Sequence, residues 1–439
     1  MIEENLPQDS KAVFGWVMYD FANSAFTTLI VTFVYATYFT KAIAPDELVG
    51  TALWSRAMTA SALMVAILSP LFGALADRGH NRKGYLFGFT LLTVIASALL
   101  YLPLPGQTGF ALALFVVGNT AFELACVFYN AYLPDLAPSR KIGQLSGLGW
   151  AVGYAGGLGA MFLAMVVLVN PQTPWFGFTR ELGQNIRATN LLVAIWFALF
   201  SLPMFFLVRE PRPSSRRPAG RHPLTALTEV IAALSEVGKY RQVARFLLAR
   251  LLYNDGLNTI FAFGGIYAAG TFAFSFQEIM TFGLVLNITA GLGAFAFGYG
   301  DDRWGGKRTV LFSLVGLTLA ALLAVLTTNK ALFWLAGIMV GLFSGPNQSA
   351  SRSLLARFTP PEKEGEFFGF FAFSGKFAAF LGPLLFGLCT SLFASQRAGV
   401  ATVILFFVGG GLILSTVDEG EGIRMSQRGF SSLPADGGQ

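Results

Sequence analysis

Five ionisable side chains stand inside long apolar stretches of this 439-residue chain: Asp20, Glu123, Asp255, Arg352 and Lys376. A charge in such a setting is costly and by default marks function. Asp20 with Asn23, and Asp255 with Asn258, repeat one spacing 235 positions apart. A carboxyl so placed can exchange a proton or meet a substrate amine; it can equally serve as a fixed hydrogen bond or ion pair. Glu123 and Lys376 have opposite signs and similar depth, roughly 15 Å into their helices at about 1.5 Å rise per residue. They can form one salt bridge, either permanent or broken during a working cycle. Arg352 could fork onto a carboxylate, but it lies about two helical turns from the end of its apolar run. The expected placement is therefore a guanidinium snorkelling to the surface. Asn130, Asn347 and Gln348 add amides that could line a site, and Pro346 is expected to kink its helix and free carbonyls there.

A second group lies in two polar turns. Gly73–Gly84 reads GALADRGHNRKG and Gly298–Arg308 reads GYGDDRWGGKR. Each has Gly, three residues, Asp-Arg, then further bases: Asp77, Arg78, Arg82 and Lys83 in the first, Asp302, Arg303, Lys307 and Arg308 in the second. A tight hairpin between two helices needs a small residue for close approach, an acid facing bases, and cations held in water. These residues are expected to gate rather than bind, latching two parts of the molecule through ion pairs and helix dipoles.

The elements that must hold these groups follow from composition. The chain is 54% hydrophobic and 12% charged, against about 25% charged in soluble domains. Apolar runs of about 20 residues, the length that spans a bilayer, fill most of it. They lack the alternation of membrane barrels, so an all-α membrane protein is expected. Twelve transmembrane helices are read at 13–40, 51–76, 85–102, 109–134, 144–170, 189–208, 246–269, 278–299, 309–327, 331–356, 366–392 and 398–416. Alternate loops hold eighteen Lys plus Arg against five on the other side, which makes the basic side and both termini cytoplasmic. The acidic start argues against a cleaved signal peptide. The chain divides into a six-helix bundle (1–208), a cytoplasmic linker (209–245), a second six-helix bundle (246–416) and a disordered cytoplasmic tail (417–439). In the linker, Leu224, Leu227, Ile231, Leu234 and Val237 have the spacing of an amphipathic helix on the membrane face.

The two bundles repeat each other. Besides the Asp–Asn pairs and the hairpins, Leu136-Ala137-Pro138 matches Phe358-Thr359-Pro360, with Gly147 and Gly153 matching Gly369 and Gly375. Pseudo-symmetric bundles hold substrate between them near mid-membrane. At the same offset Glu123 matches Gly345 and Lys376 matches Tyr154, so this charge pair is specific to one side of the repeat. Other classes fall away. GDDRWGGKRT has Asp301 where a phosphate-cradling loop needs its first Gly. The only histidines, His80 and His222, are in loops, and no Gly-x-Ser-x-Gly elbow is present. No enzyme, cofactor, metal or nucleic-acid partner is implied.

With the two six-span halves, the basic central loop and the hairpin GALADRGHNRKG, the chain resembles the major facilitator superfamily of secondary transporters. The segments GWVMYDFANSAFTTLIVTFVYATYF, DGLNTIFAFGGIYAAG and SASRSLLARFTPPEKEGEFFGFFAFSGKFAAFLGPLLFG are similar to those of the vacuolar amino-acid effluxer family associated with autophagy, and most similar to its bacterial branch. The resemblance implies that spans one, four, seven and ten line a cavity, which would place Asp20 in its wall. It also implies a monomer in the inner membrane moving a small polar solute, such as a neutral amino acid, by proton-coupled efflux. A non-transporting sensor or a lipid-moving protein on the same scaffold is the alternative.

Overall fold

The computed structural model describes residues 9–79, 81–210, 240–377 and 379–431. The amphipathic helix expected over 224–237 lies outside them. The described chain is helical: α1 Ser10–Ile43, α2 Glu47–Gly79, α3 Arg82–Leu99, α4 Thr108–Ala131, α5 Ile142–Ala164 and α6 Gln184–Leu207 before residue 211. After residue 239 come α7 Arg241–Phe272, α8 Phe276–Trp304, α9 Gly306–Leu326, α10 Lys330–Phe358, α11 Glu364–Lys376, α12 Leu381–Leu392, α13 Gln396–Ser415 and α14 Glu419–Ser431. Among the described residues, nine helical segments are long and apolar enough to cross a membrane, α11 and α12 counting as one.

Polar side chains set the helix starts. Asp9 accepts the Lys11 amide at 3.0 Å, Asn329 the Ala331 amide at 2.7 Å, and Ser275 with Glu278 forms a capping box on α8. Two features depart from regular α-helix. First, α1 widens to a π-helix over Phe26–Phe33 and Phe39–Ile43. Second, in the segment read as one span at 366–392, one helix ends at Lys376 and another begins at Leu381. Pro346, expected to kink α10, lies inside it, and the helix runs on from Lys330 to Phe358. The carbonyl it deprives of an amide, that of Leu342, faces Gly293 of α8, where the missing side chain leaves room for it.

Both parts of the chain use one packing order: α1 against α6 and α7 against α13, α3 against α4 and α9 against α10. They meet along two matching pairs, α2 with α11 and α5 with α8. Glycine makes these crossings close. A Cβ at Gly365 would stand 2.7 Å from the Gly73 carbonyl, and one at Gly298 2.9 Å from that of Gly143.

The tail is a correction. Residues 419–431 form a helix instead of a disordered segment. It docks because its acids find partners: Glu419 accepts the Gly306 and Lys307 amides at 2.8 and 3.2 Å, and Glu421 accepts from the Gln242 amide group at 2.5 Å. Its apolar residues also contribute, with Ile423 packed against the core.

Candidate functional site

At the end of the molecule carrying the two polar hairpins, the carboxylates reach across to the other part of the chain. Asp77 accepts the Gly365 and Glu366 amides at 2.9 and 2.8 Å, the first turn of α11. Asp302 accepts the Gly143 and Gln144 amides at 2.7 and 2.8 Å, the first turn of α5. Each acid thus caps the positive end of a helix dipole in the opposite part. Of the hairpin bases, Lys83 and Lys307 stay within their own part, while Arg82 also reaches across. Arg82 lies 3.2 Å from Asp135 and 3.7 Å from Glu364 across the crossing, while Lys83 donates to the Val208 carbonyl at 2.6 Å. Lys307 donates to the Val417 carbonyl at 2.6 Å. Arg303 is exposed, and the side chain of Arg78 lies outside the described residues.

Several members of this network were not singled out from sequence. Arg357 bridges Asp301 and Asp302 at 2.6 and 2.8 Å and donates to the Ser139 carbonyl of the other part at 3.2 Å. Asp135 and Arg357 stand 222 positions apart, the offset of the neighbouring Pro138 and Pro360, so the repeat carried that signal with the charge inverted. Likewise Val208-Arg209-Glu210 echoes Val417-Asp418-Glu419, and both glutamates cap the helix after a hairpin.

A second closure lies deeper. Arg352 is 3% exposed and does not snorkel. Its head turns into the seam between the parts and meets Asp20 at 3.1 Å, Asn130 Oδ1 at 3.2 Å, and Ser146 at its Oγ (2.9 Å) and carbonyl (2.7 Å). The Trp16 ring lies 4.8 Å beneath the guanidinium, a cation–π contact. These partners compensate burial that would otherwise drive the charge to the surface. Asn23 reaches Asp20 at 3.5 Å. Glu123 and Lys376 pair at 2.7 Å across the parts. Asp255 differs from its twin Asp20: it accepts the Gly382 amide at 2.7 Å. Asn258 is exposed and lies outside the cavity wall. Asn347 donates to Ser313 Oγ at 2.9 Å, within its own part of the chain. Gln348 reaches the Tyr154 hydroxyl at 3.4 Å.

Beyond this closure, in the half of the molecule away from the hairpins, lies a cavity of about 380 Å³. Its wall takes Ser24, Thr28 and Thr32 from α1, Trp150 and Tyr154 from α5, and Asn287 from α8 as polar groups; phenylalanines of α7, α8, α10 and α12 supply much of the rest. None of the five charges set within the helices is in the wall. Asp20 sits one helical turn below Ser24, which corrects its expected place in the lining. The hydroxyl row on α1 was missed because serine and threonine in a membrane helix usually hydrogen-bond their own backbone. The π-helical widening that turns Thr28 and Thr32 inward has no sequence signature.

Comparison with known proteins places this geometry. A family model described as "Vacuole effluxer Atg22 like" matches residues 51–427. The Bacillus subtilis protein "Uncharacterized MFS-type transporter YxiO" is 27% identical over 418 residues, 94% of this chain and 96% of its own. Autophagy-related protein 22 of Saccharomyces cerevisiae is 24% identical over 358 residues, 73% of this chain and 66% of that one. Among solved structures, the human organic anion transporter MFSD10 gives a TM-score of 0.73 at 16% identity over 93% of this chain and 100% of its own. The proton:xylose symporter XylE gives 0.71 at 14% over 94% and 97%. At these identities the structures show the fold alone, the all-helical major facilitator fold.

Proposed function

Because the chain belongs to the vacuole effluxer Atg22-like family of major facilitator transporters, we propose that it moves a neutral amino acid with an apolar side chain by alternating access, coupled to protons and directed outward. The observation that carries this reading is the cavity of about 380 Å³ walled by both parts of the chain, while the hairpin end is shut by paired aspartates. That volume falls in the range of small-molecule sites. A wall of phenylalanines and hydroxyls without a charged side chain favours a solute with an apolar body and no net charge. The α3, α7 and α10 helices complete twelve spans in two six-helix bundles, with the basic hairpins and both termini cytoplasmic by the excess of Lys and Arg on that side. In that orientation the described state faces outward. Arg352, Asp20 and the hairpin acids act as gates; Asn287 is the amide that meets cargo, and Gln348 stands behind the wall residue Tyr154. The protein works as a monomer in the cell membrane.

The test is transport by the full chain in sealed proteoliposomes. Labelled leucine, isoleucine and tyrosine, with a dipeptide and xylose for contrast, are followed with and without a pH gradient. Saturable amino-acid movement that the gradient accelerates is expected. Movement of xylose or the dipeptide in place of every amino acid overturns the substrate class. Movement of a fluorescent phospholipid between leaflets without solute transport establishes the lipid-moving alternative instead.

A further inference from the structure

Asp20 and Asp255 hold matching places on α1 and α7, and the backbone around them is arranged alike. Ser24 Oγ donates to the Asp20 carbonyl at 2.8 Å, Thr259 Oγ1 donates to the Asp255 carbonyl at 2.8 Å, and both hydroxyl residues belong to the cavity wall. The carboxylates themselves meet different surroundings. Asp20 faces the Arg352 guanidinium. Asp255 is 2% exposed, and among the described residues no cation pairs with it. Its Oδ2 accepts the Gly382 amide, and its Oδ1 has no partner.

The charged groups on the elements packed around Asp255 are engaged elsewhere. On its own helix Arg250 is held by the Phe371 carbonyl and Ser374, and Tyr253 by Ser351. From α11, Lys376 is held by Glu123; from α10, Arg352 by Asp20 and Lys330 by Glu278 of α8. Asp301 and Asp302 of α8 face Arg357. Helix α12 carries no charged residue, its one titratable group being Cys389, and α13 carries only Arg397, which donates to the Val325 carbonyl. The acids of α14 meet α7 at Gln242, in its first turn.

A buried carboxylate without a counter-charge is costly, and proton uptake relieves that cost. What Asp255 holds is the start of α12, which has no side-chain cap of its own. Gly382 leaves no room for a Cβ between its backbone and Thr259 Oγ1, so α12 is pressed directly onto this turn of α7. One turn further on, Phe386 stacks on Phe263 at 4.3 Å, and both rings are in the cavity wall. The Asp255 contact and the cavity wall are therefore one helical turn apart on α12.

We propose that Asp255 is the residue that takes up and releases the coupled proton, with the start of α12 as the element it controls, and that Asp20 is not. The proton binds a carboxylate oxygen and leaves from it; ionised, Asp255 grips the α12 N-terminus, and protonated it loosens that grip. This assignment rests on the proton-coupled reading above, and its test is chosen to stand apart from it. Infrared difference spectra of the full purified chain between acid and alkaline pH are expected to contain a protonated-carboxyl band. That band should be lost in Asp255→Asn and kept in Asp20→Asn. Asp255→Glu, which keeps a carboxyl, should return the band at a shifted position and shows that loss in Asp255→Asn is not misfolding. In proteoliposomes, Asp255→Asn should lose leucine accumulation driven by a pH gradient while leucine exchange persists at a reduced rate. Spectra of wild type and Asp255→Asn that coincide, or a band lost in Asp20→Asn alone, overturn the proposal. A wild-type chain that moves no leucine under any gradient sinks the transport reading but leaves the infrared result to decide the proton site.

Discussion

Removing one member of a buried ion pair is more harmful than removing both, because the survivor is left charged without compensation. For Asp20 and Arg352, exposed by 13% and 4% at their side chains, Asp20→Asn is expected to lower stability by about 3–5 kcal/mol. Adding Arg352→Met should recover part of that loss in thermal unfolding; a double variant less stable than Asp20→Asn would show that the pair does not act as a unit. Glu123 and Lys376 are wetter, at 21% and 29%, so their stability effect is smaller and transport is the better readout. Glu123→Gln and Lys376→Met should each slow labelled leucine uptake about tenfold or more, as about 1.4 kcal/mol of altered barrier would. The double variant should be faster than either; equal rates would mean the pairing has no part in the cycle. Sequence alone proposed this pair from matched depth, whereas it placed Arg352 at the surface, since no span position reveals which neighbour a guanidinium will find.

At the scale of elements, glycine crossings and helix caps carry the arrangement. Gly365→Val puts a side chain where the Gly73 carbonyl and the Asp77 carboxylate already stand, 2.7 and 2.8 Å from the Cβ position. It should force α2 and α11 apart, read as increased cysteine labelling at that crossing; unchanged labelling would mean the crossing tolerates bulk. Ending the chain after Val417 removes α14 and its caps on α9. Lost caps cost about 0.5–2 kcal/mol, so a lower unfolding temperature is expected, and an unchanged one would make the helix a passenger. The tail escaped the sequence reading because its Gly and Ser content suggested disorder, while the acids that dock it only acquire meaning beside the free amides of Gly306 and Lys307.

For the whole molecule, the two aspartate caps join the two parts at the hairpin end. Asp77→Asn with Asp302→Asn weakens four charge-assisted bonds across the two parts. Spin-label distances across the hairpin end should lengthen, and turnover should slow without a change in which solute is preferred. Distances that stay unchanged would assign closure to the Arg352 cluster alone. The reciprocal crossings, α2 with α11 and α5 with α8, give the two acids matching places.

The amino-acid sequence by itself determined that the chain is helical and apolar, that it repeats, and which polar residues its apolar runs had to contain. Those features follow from spacing along one chain and from the cost of burying charge, both of which are local. The tertiary structure decided which of the buried groups meet: Arg352 with Asp20, Asp255 with the start of α12, and the hydroxyls of a π-helical turn with an otherwise apolar cavity. Such encounters join residues hundreds of positions apart, and they depend on helix rotation and on where α12 begins, neither of which hydrophobic periodicity encodes.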